Sequence, residues 1–230
     1  MKAVLAQGAA LDYNGEKGGM AMLTYYPSCN FTKASPETAK RLSAYLSRRM
    51  LSAGCCRTDS HPLAPGETAL YFCQACREVL SPRMPVENLY VYLDSDDALA
   101  VPCYQGLEVD LQDCWRDRDH PEIRAAVRSL LSKMQIRWVD GPDGGEHSRF
   151  CGNLHFEPRW PENLARMAQY PGLSIQQMPP EVQADLMAEQ VADYRCGWAV
   201  AYCNRCVSGI RLGGGNSVHL LDLLFGNAPF

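Results

Sequence analysis

Nine of the eleven cysteines recur in the same order in two halves of the chain, and this repeat constrains the fold more than any other feature. The first half reads Cys29, 25 residues, Cys55-Cys56, 16 residues, then Cys73-Gln74-Ala75-Cys76. The second reads Cys114, 36 residues, Cys151-Gly152, 51 residues, then Cys203-Asn204-Arg205-Cys206. Each leading cysteine is followed seven residues on by a Pro-Glu pair, Pro36-Glu37 and Pro121-Glu122. Composition alone gives that dipeptide at a fixed offset from a given cysteine roughly 0.3% of the time, so the two halves are related.

Local patterning repeats with the cysteines. Strand-like runs, Ala21 to Tyr26 and Leu107 to Leu111, precede Cys29 and Cys114, and helical periodicity follows over Glu37 to Leu51 and Glu122 to Met134. Pro lacks the amide that a first turn would orphan, and Glu opposes the dipole there. The CxxC pairs follow the apolar runs Ala69 to Phe72 and Trp198 to Tyr202. Apolar tails, Val86 to Leu93 and Val218 to Leu224, close the halves, and their patterning fits a strand or a helix equally. Strands alternating with helices predict an α/β protein of two pseudo-repeated lobes, each a small parallel sheet flanked by helices with cysteines at its strand ends. The lobes span residues 1–98 and 99–230, divided in the polar stretch Asp94 to Pro102. The Gly/Asp-rich stretch Asp140 to Glu146 reads as a surface loop. Residues 157–193, rich in proline and with a helix predicted over 181–191, form an insertion without a counterpart.

Composition narrows the chemistry. Eleven cysteines in 230 residues are about 5%, short of the 8–10% of a disulfide scaffold, and a chain this long buries a core without cross-links. A net charge of −4 and the lack of a basic stripe exclude a general nucleic-acid binder. No run approaches 18 apolar residues, so no membrane insertion is expected, and Met1 to Glu16 does not read as a signal peptide. An odd cysteine number in a chain read as unexported points to metal or redox chemistry in a reducing cytoplasm.

Thiolates select zinc, Cu(I) or iron–sulfur clusters. Four thiolates saturate a tetrahedral zinc, whereas five, two of them adjacent, suit a cluster with more than one iron. Cys73 and Cys76 also occupy the strand-to-helix position of a thioredoxin-like pair.

The ordered pattern carried by Tyr26-Pro27-Ser28-Cys29, Cys55-Cys56, Cys73-x2-Cys76, Cys114, Cys151-Gly152 and Cys203-x2-Cys206, with the trailing Val218-His219-Leu220-Leu221, resembles the cysteine-rich CCG domain of heterodisulfide reductase and of related iron–sulfur oxidoreductases. The resemblance covers about Leu23 to Gly226. It implies 4Fe-4S clusters held by Cys29, Cys55, Cys56, Cys73 and Cys76 in the first lobe and by Cys114, Cys151, Cys203 and Cys206 in the second, non-cubane where five thiols are present. It also implies an oxidoreductase or electron-transfer component that takes electrons from a flavin or iron–sulfur protein and passes them to a disulfide or another acceptor. The rival expectation is a non-catalytic scaffold or binding protein with structural zinc or iron–sulfur sites. Two positions depart from the family: Arg57 stands where a glycine follows the paired cysteines, and Phe150 where the second lobe should have the first of its pair. Cys103 and Cys196 lie outside the repeat and are expected to be ordinary packing residues, although either is a substitute for the ligand lacking at Phe150. His155 and His219 are expected to be structural, Gly213-Gly214-Gly215 to end a helix, and Trp115 to Asp119 to be a solvated, ion-paired loop.

Overall fold

The computed structural model describes residues 22–58 and 66–229. The reading of Met1 to Glu16, and Ala21 of the first strand run, lie outside them. The first lobe runs β1 (Met22–Tyr25), α1 (Cys29–Ala34), α2 (Pro36–Leu46), β2 (Leu51–Ser52), β3 (Glu67–Tyr71), α3 (Gln74–Leu80), β4 (Val86–Asn88) and α4 (Leu89–Ser95). The second runs β5 (Glu108–Gln112), α5 (Pro121–Lys133), β6 (Arg137–Asp140), α6 (Pro161–Met167), α7 (Pro180–Ala192), β7 (Ala199–Ala201), α8 (Asn204–Leu212), β8 (Ser217–His219) and α9 (Leu220–Leu224). Both sheets are parallel and four-stranded, ordered β2-β1-β3-β4 and β6-β5-β7-β8. The α/β repeat expected from the cysteines is therefore the repeat of the fold.

Helix α2 stops at Leu46, short of the Leu51 expected, because the chain turns over residues 47–50 and Leu51–Ser52 joins β1 as an edge strand. That strand is two exposed residues long and carries no periodicity to detect. Edge strand β6 also falls between the predicted elements, and its last residue Asp140 takes the start of the expected surface loop. The two tails have one structure rather than two: each is a three-residue strand running directly into a helix, β4 into α4 and β8 into α9. The insertion contributes α6 and α7, the latter over the predicted stretch.

The lobes share one core. Phe31, Leu42, Tyr90 and Leu93 of the first pack in the same apolar cluster as Leu111, Val127, Leu131 and Tyr202 of the second, each burial contributing about 1.5–3 kcal/mol. Each lobe's final helix reaches its neighbour. Helix α4 packs on α5, and the Asp222 carboxylate of α9 accepts from Ser35 Oγ (3.0 Å) and Thr38 Oγ1 at the start of α2. Tyr90 Oη donates across the seam to the Tyr202 carbonyl at 2.9 Å. The charged run after Cys114 is not a solvated loop but part of this seam. Asp117 is wholly buried, accepting from Arg77 Nη1 at 2.7 Å and from Gln74 Nε2, and burial raises its pKa to about 6 against the pull of Arg77. Arg116 pairs with Glu78, and Arg118 lies over the Trp115 ring at 4.8 Å. No helix of the described residues is long and apolar enough to cross a membrane.

Candidate metal centre

Parallel strands end on one edge of their sheet, and there the loops deliver the thiols. In both lobes the CxxC pair occupies the first turn of the helix after the third strand in sequence. Cys73 is the N-cap residue of α3 with Cys76 three residues on, and Cys203 is that of α8 with Cys206 three residues on. N-cap and N3 stand one turn apart on the same side of a helix, so the two sulfurs converge. The leading cysteine of each lobe follows its central strand: Cys29 opens α1 behind the Ser28 cap, and Cys114 opens a short turn, Trp115–Asp117.

In the second lobe these placements close a compact site. The Sγ atoms of Cys114, Cys151, Cys203 and Cys206 lie within 4.8 Å of one another, all four residues buried, with Cys114 to Cys151 at 3.5 Å and Cys151 to Cys203 at 3.9 Å. Four thiols so arranged can hold a metal ion or an iron–sulfur cluster. Hydrogen bonds from Cys114, Cys151 and Cys206 hold the Cys203 thiol well below its ordinary pKa, whereas burial pushes Cys114 and Cys206 up. Thiols ionise on binding a cation, so metal binding at this site releases protons.

Cys151 reaches the site because Gly152 has φ +58° and a Cβ there would stand 2.0 Å from the Arg205 carbonyl oxygen. Gly209 on α8 meets it, a Cβ on that residue falling 2.4 Å from Gly152 Cα. This contact of two glycines seats the Cys151 loop on α8. Position 57 of the first lobe does not adopt the left-handed conformation, which is why an exposed arginine stands there without strain. Phe150 is fully buried, packing edge-on to Phe156 at 5.8 Å, and its carbonyl accepts from the Cys206 thiol at 3.7 Å. It gives the second site an apolar wall in place of a fifth ligand.

The first-lobe thiols form a longer chain of contacts. Cys29 is hydrogen-bonded to Cys55, and Cys76 bonds both Cys73 and Cys56. Cys73 is lowered to about 6, chiefly by the Cys76 thiol and then by the Cys76 backbone N–H, and Cys55 to about 7, chiefly by the Arg57 backbone N–H. This set is open where the other is closed, with Cys29 exposed and Cys55 and Cys73 part-exposed.

The remaining cysteines stand apart. Neither is the buried packing residue expected: Cys103 is exposed, and the backbone N–H of half-buried Cys196 donates to Asp110 Oδ2 at 2.7 Å; neither joins the second-lobe thiols in place of Phe150. His155 stacks on Trp115 with centroids 3.7 Å apart and pairs with Glu157, and His219 caps α9 through Nδ1. Gly213 ends α8, as expected of the glycine run. Sequence reasoning missed the seam residues Gln74 and Arg77, which lie inside or beside CxxC and tie that motif to Asp117 of the other lobe. Compared with family models, with curated proteins and with solved structures, the chain has no match.

Proposed function

We propose that the protein is an iron–sulfur electron-transfer protein with one thiolate-bound centre in each lobe, working with a protein electron donor in a larger reductase system. The observation that carries this reading is the closed four-thiol set of the second lobe, with the first-lobe cysteines at the equivalent sheet edge in a looser arrangement that does not close in the same way among the described residues. Sulfur-only ligation selects soft metals, and the lack of an oxygen or imidazole ligand disfavours magnesium, calcium or a hydrolytic zinc site. The fully buried four-thiol set suits a relay, because exclusion of water protects a bound centre from exchange. The five-thiol set has Cys29 at the surface, and we place exchange with an acceptor there. A disulfide acceptor would take up two electrons and two protons to give two thiols, the electrons from the donor protein and the protons from solvent at this open edge. A bound cluster supplies one-electron chemistry. The chain's own part is to hold it, wall it with Phe150 in one lobe, and admit solvent in the other.

A second reading has a specific observation behind it. Sulfurs 2.3 Å from one tetrahedral ion sit about 3.8 Å apart, and the spacings of 3.5 and 3.9 Å in the second lobe accommodate a single ion as they stand. A structural zinc at this site alone is therefore the alternative, with redox chemistry confined to the first lobe.

Anaerobic expression followed by iron, acid-labile sulfide and zinc analysis decides between them. Iron with sulfide and a reversible reduction signal is the expected result, and colourless protein with stoichiometric zinc overturns the redox reading. Cys114→Ser or Cys203→Ser should deplete one centre, Cys29→Ser or Cys73→Ser the other, and Cys103→Ser or Cys196→Ser neither.

A further inference from the structure

We propose that His219 donates its Nε2–H to a sulfur that a bound cluster brings to the second thiol site, and thereby sets the electronic properties of that cluster. The imidazole is wholly within the protein, at the end of β8. Its Nδ1 accepts from the Leu221 backbone N–H at 3.2 Å, which leaves the ring proton on Nε2. Nε2–H has no partner among the described residues. A buried donor left unmade costs about 1–3 kcal/mol, so a protein that keeps one is holding it for a group not drawn from its own chain.

The strand register shows where that group lies. His219 pairs with Ala201, the last residue of β7 and two residues before Cys203, so the imidazole and Cys203 stand at the same edge of the sheet, and Cys203 raises the ring pKa against the effect of burial. The other walls are aromatic: Phe31 stands at 4.5 Å and Phe72 at 6.1 Å between centroids, and neither offers a conventional acceptor.

The first lobe repeats the arrangement. Asn88 occupies the matching position, caps α4 with its side-chain oxygen and pairs in register with Tyr71, two residues before Cys73. Its Nδ2 is likewise buried without a partner among the described residues. The matching position of each lobe therefore presents an unpaired buried donor close to its CxxC pair, Asn88 Nδ2 in the first and His219 Nε2 in the second. Hydrogen bonds to cluster or thiolate sulfur stabilise the more negative state and raise the reduction potential.

The inference rests on metal binding at the second site, and the test separates the two. In the anaerobically loaded protein, midpoint potentials are read by EPR-monitored titration for wild type, His219→Asn, which keeps the cap but withdraws the donor, and His219→Gln, which keeps donor reach. With iron content unchanged, the second-site couple should fall in His219→Asn, fall less in His219→Gln, and the first-site couple should hold. Equal potentials in wild type and His219→Asn overturn the inference and leave the redox reading standing. If the second site carries zinc, no sulfur besides the chain's own thiolates is present to accept from Nε2–H, and the inference is overturned.

Discussion

Gly152→Ala perturbs the second site without touching a thiol. The native φ of +58° costs a residue with a Cβ about 1–2 kcal/mol. The added methyl would lie 2.0 Å from Arg205 O, over 1 Å inside ordinary contact, and both partners are backbone, so no rotamer change relieves it. The loop must withdraw from α8, and lost packing adds about 1–3 kcal/mol. The total of about 2–5 kcal/mol corresponds to a fall in Tm of roughly 4–20 °C for a chain of this size. Withdrawal also carries Cys151 from its neighbours at 3.5 and 3.9 Å, so the second centre should be depleted while the first keeps its metal. Differential scanning calorimetry and metal analysis on the same preparation read both effects, and Arg57→Ala, at the matching position without positive φ, should alter neither. Full metal content with an unchanged Tm would refute the glycine-contact argument.

Three further expectations follow from particular contacts. Burial holds the His219 pKa down at about 3, assisted by Arg211 and opposed by Cys203, so the folded state disfavours the proton that the unfolded chain binds below about 6.5. Stability from this group is complete above pH 6.5 and is lost as pH falls toward 3, by on the order of 5 kcal/mol. The acid sensitivity of wild type minus that of His219→Asn, from urea titrations between pH 7 and 4, should show this slope, and parallel curves would contradict it. Asp222→Ala removes the carboxylate that Ser35 and Thr38 share at the α2 N-terminus, and should cost about 1–3 kcal/mol in urea unfolding. Phe150→Ala opens a cavity behind Cys206 and should cost about 3–5 kcal/mol; a value below about 1 would show that Phe150 is not the wall of the second site.

The sequence by itself determined the α/β repeat, because the Pro-Glu helix starts, the apolar runs and the CxxC offsets are local signals whose spacing survives without knowledge of contacts. It also singled out the thiols that meet in the second lobe, since strand-end cysteines of a parallel sheet share one edge. The edge strands β2 and β6 were not legible: they are short and form only because β1 and β5 present unpaired backbone to them. The two closing tails were ambiguous for a related reason, since each changes from strand to helix at a buried N-cap, Asn88 or His219, whose capping bond exists only once the strand has joined its sheet. Tertiary structure alone decided that Asp117 is buried against Gln74 and Arg77 rather than solvated, because its partners lie some 40 residues away across the lobe seam. It alone decided that one thiol set is sealed and the other open, since burial depends on Phe150, Gly152 and Gly209 packing around the second and on the surface position of Cys29 in the first.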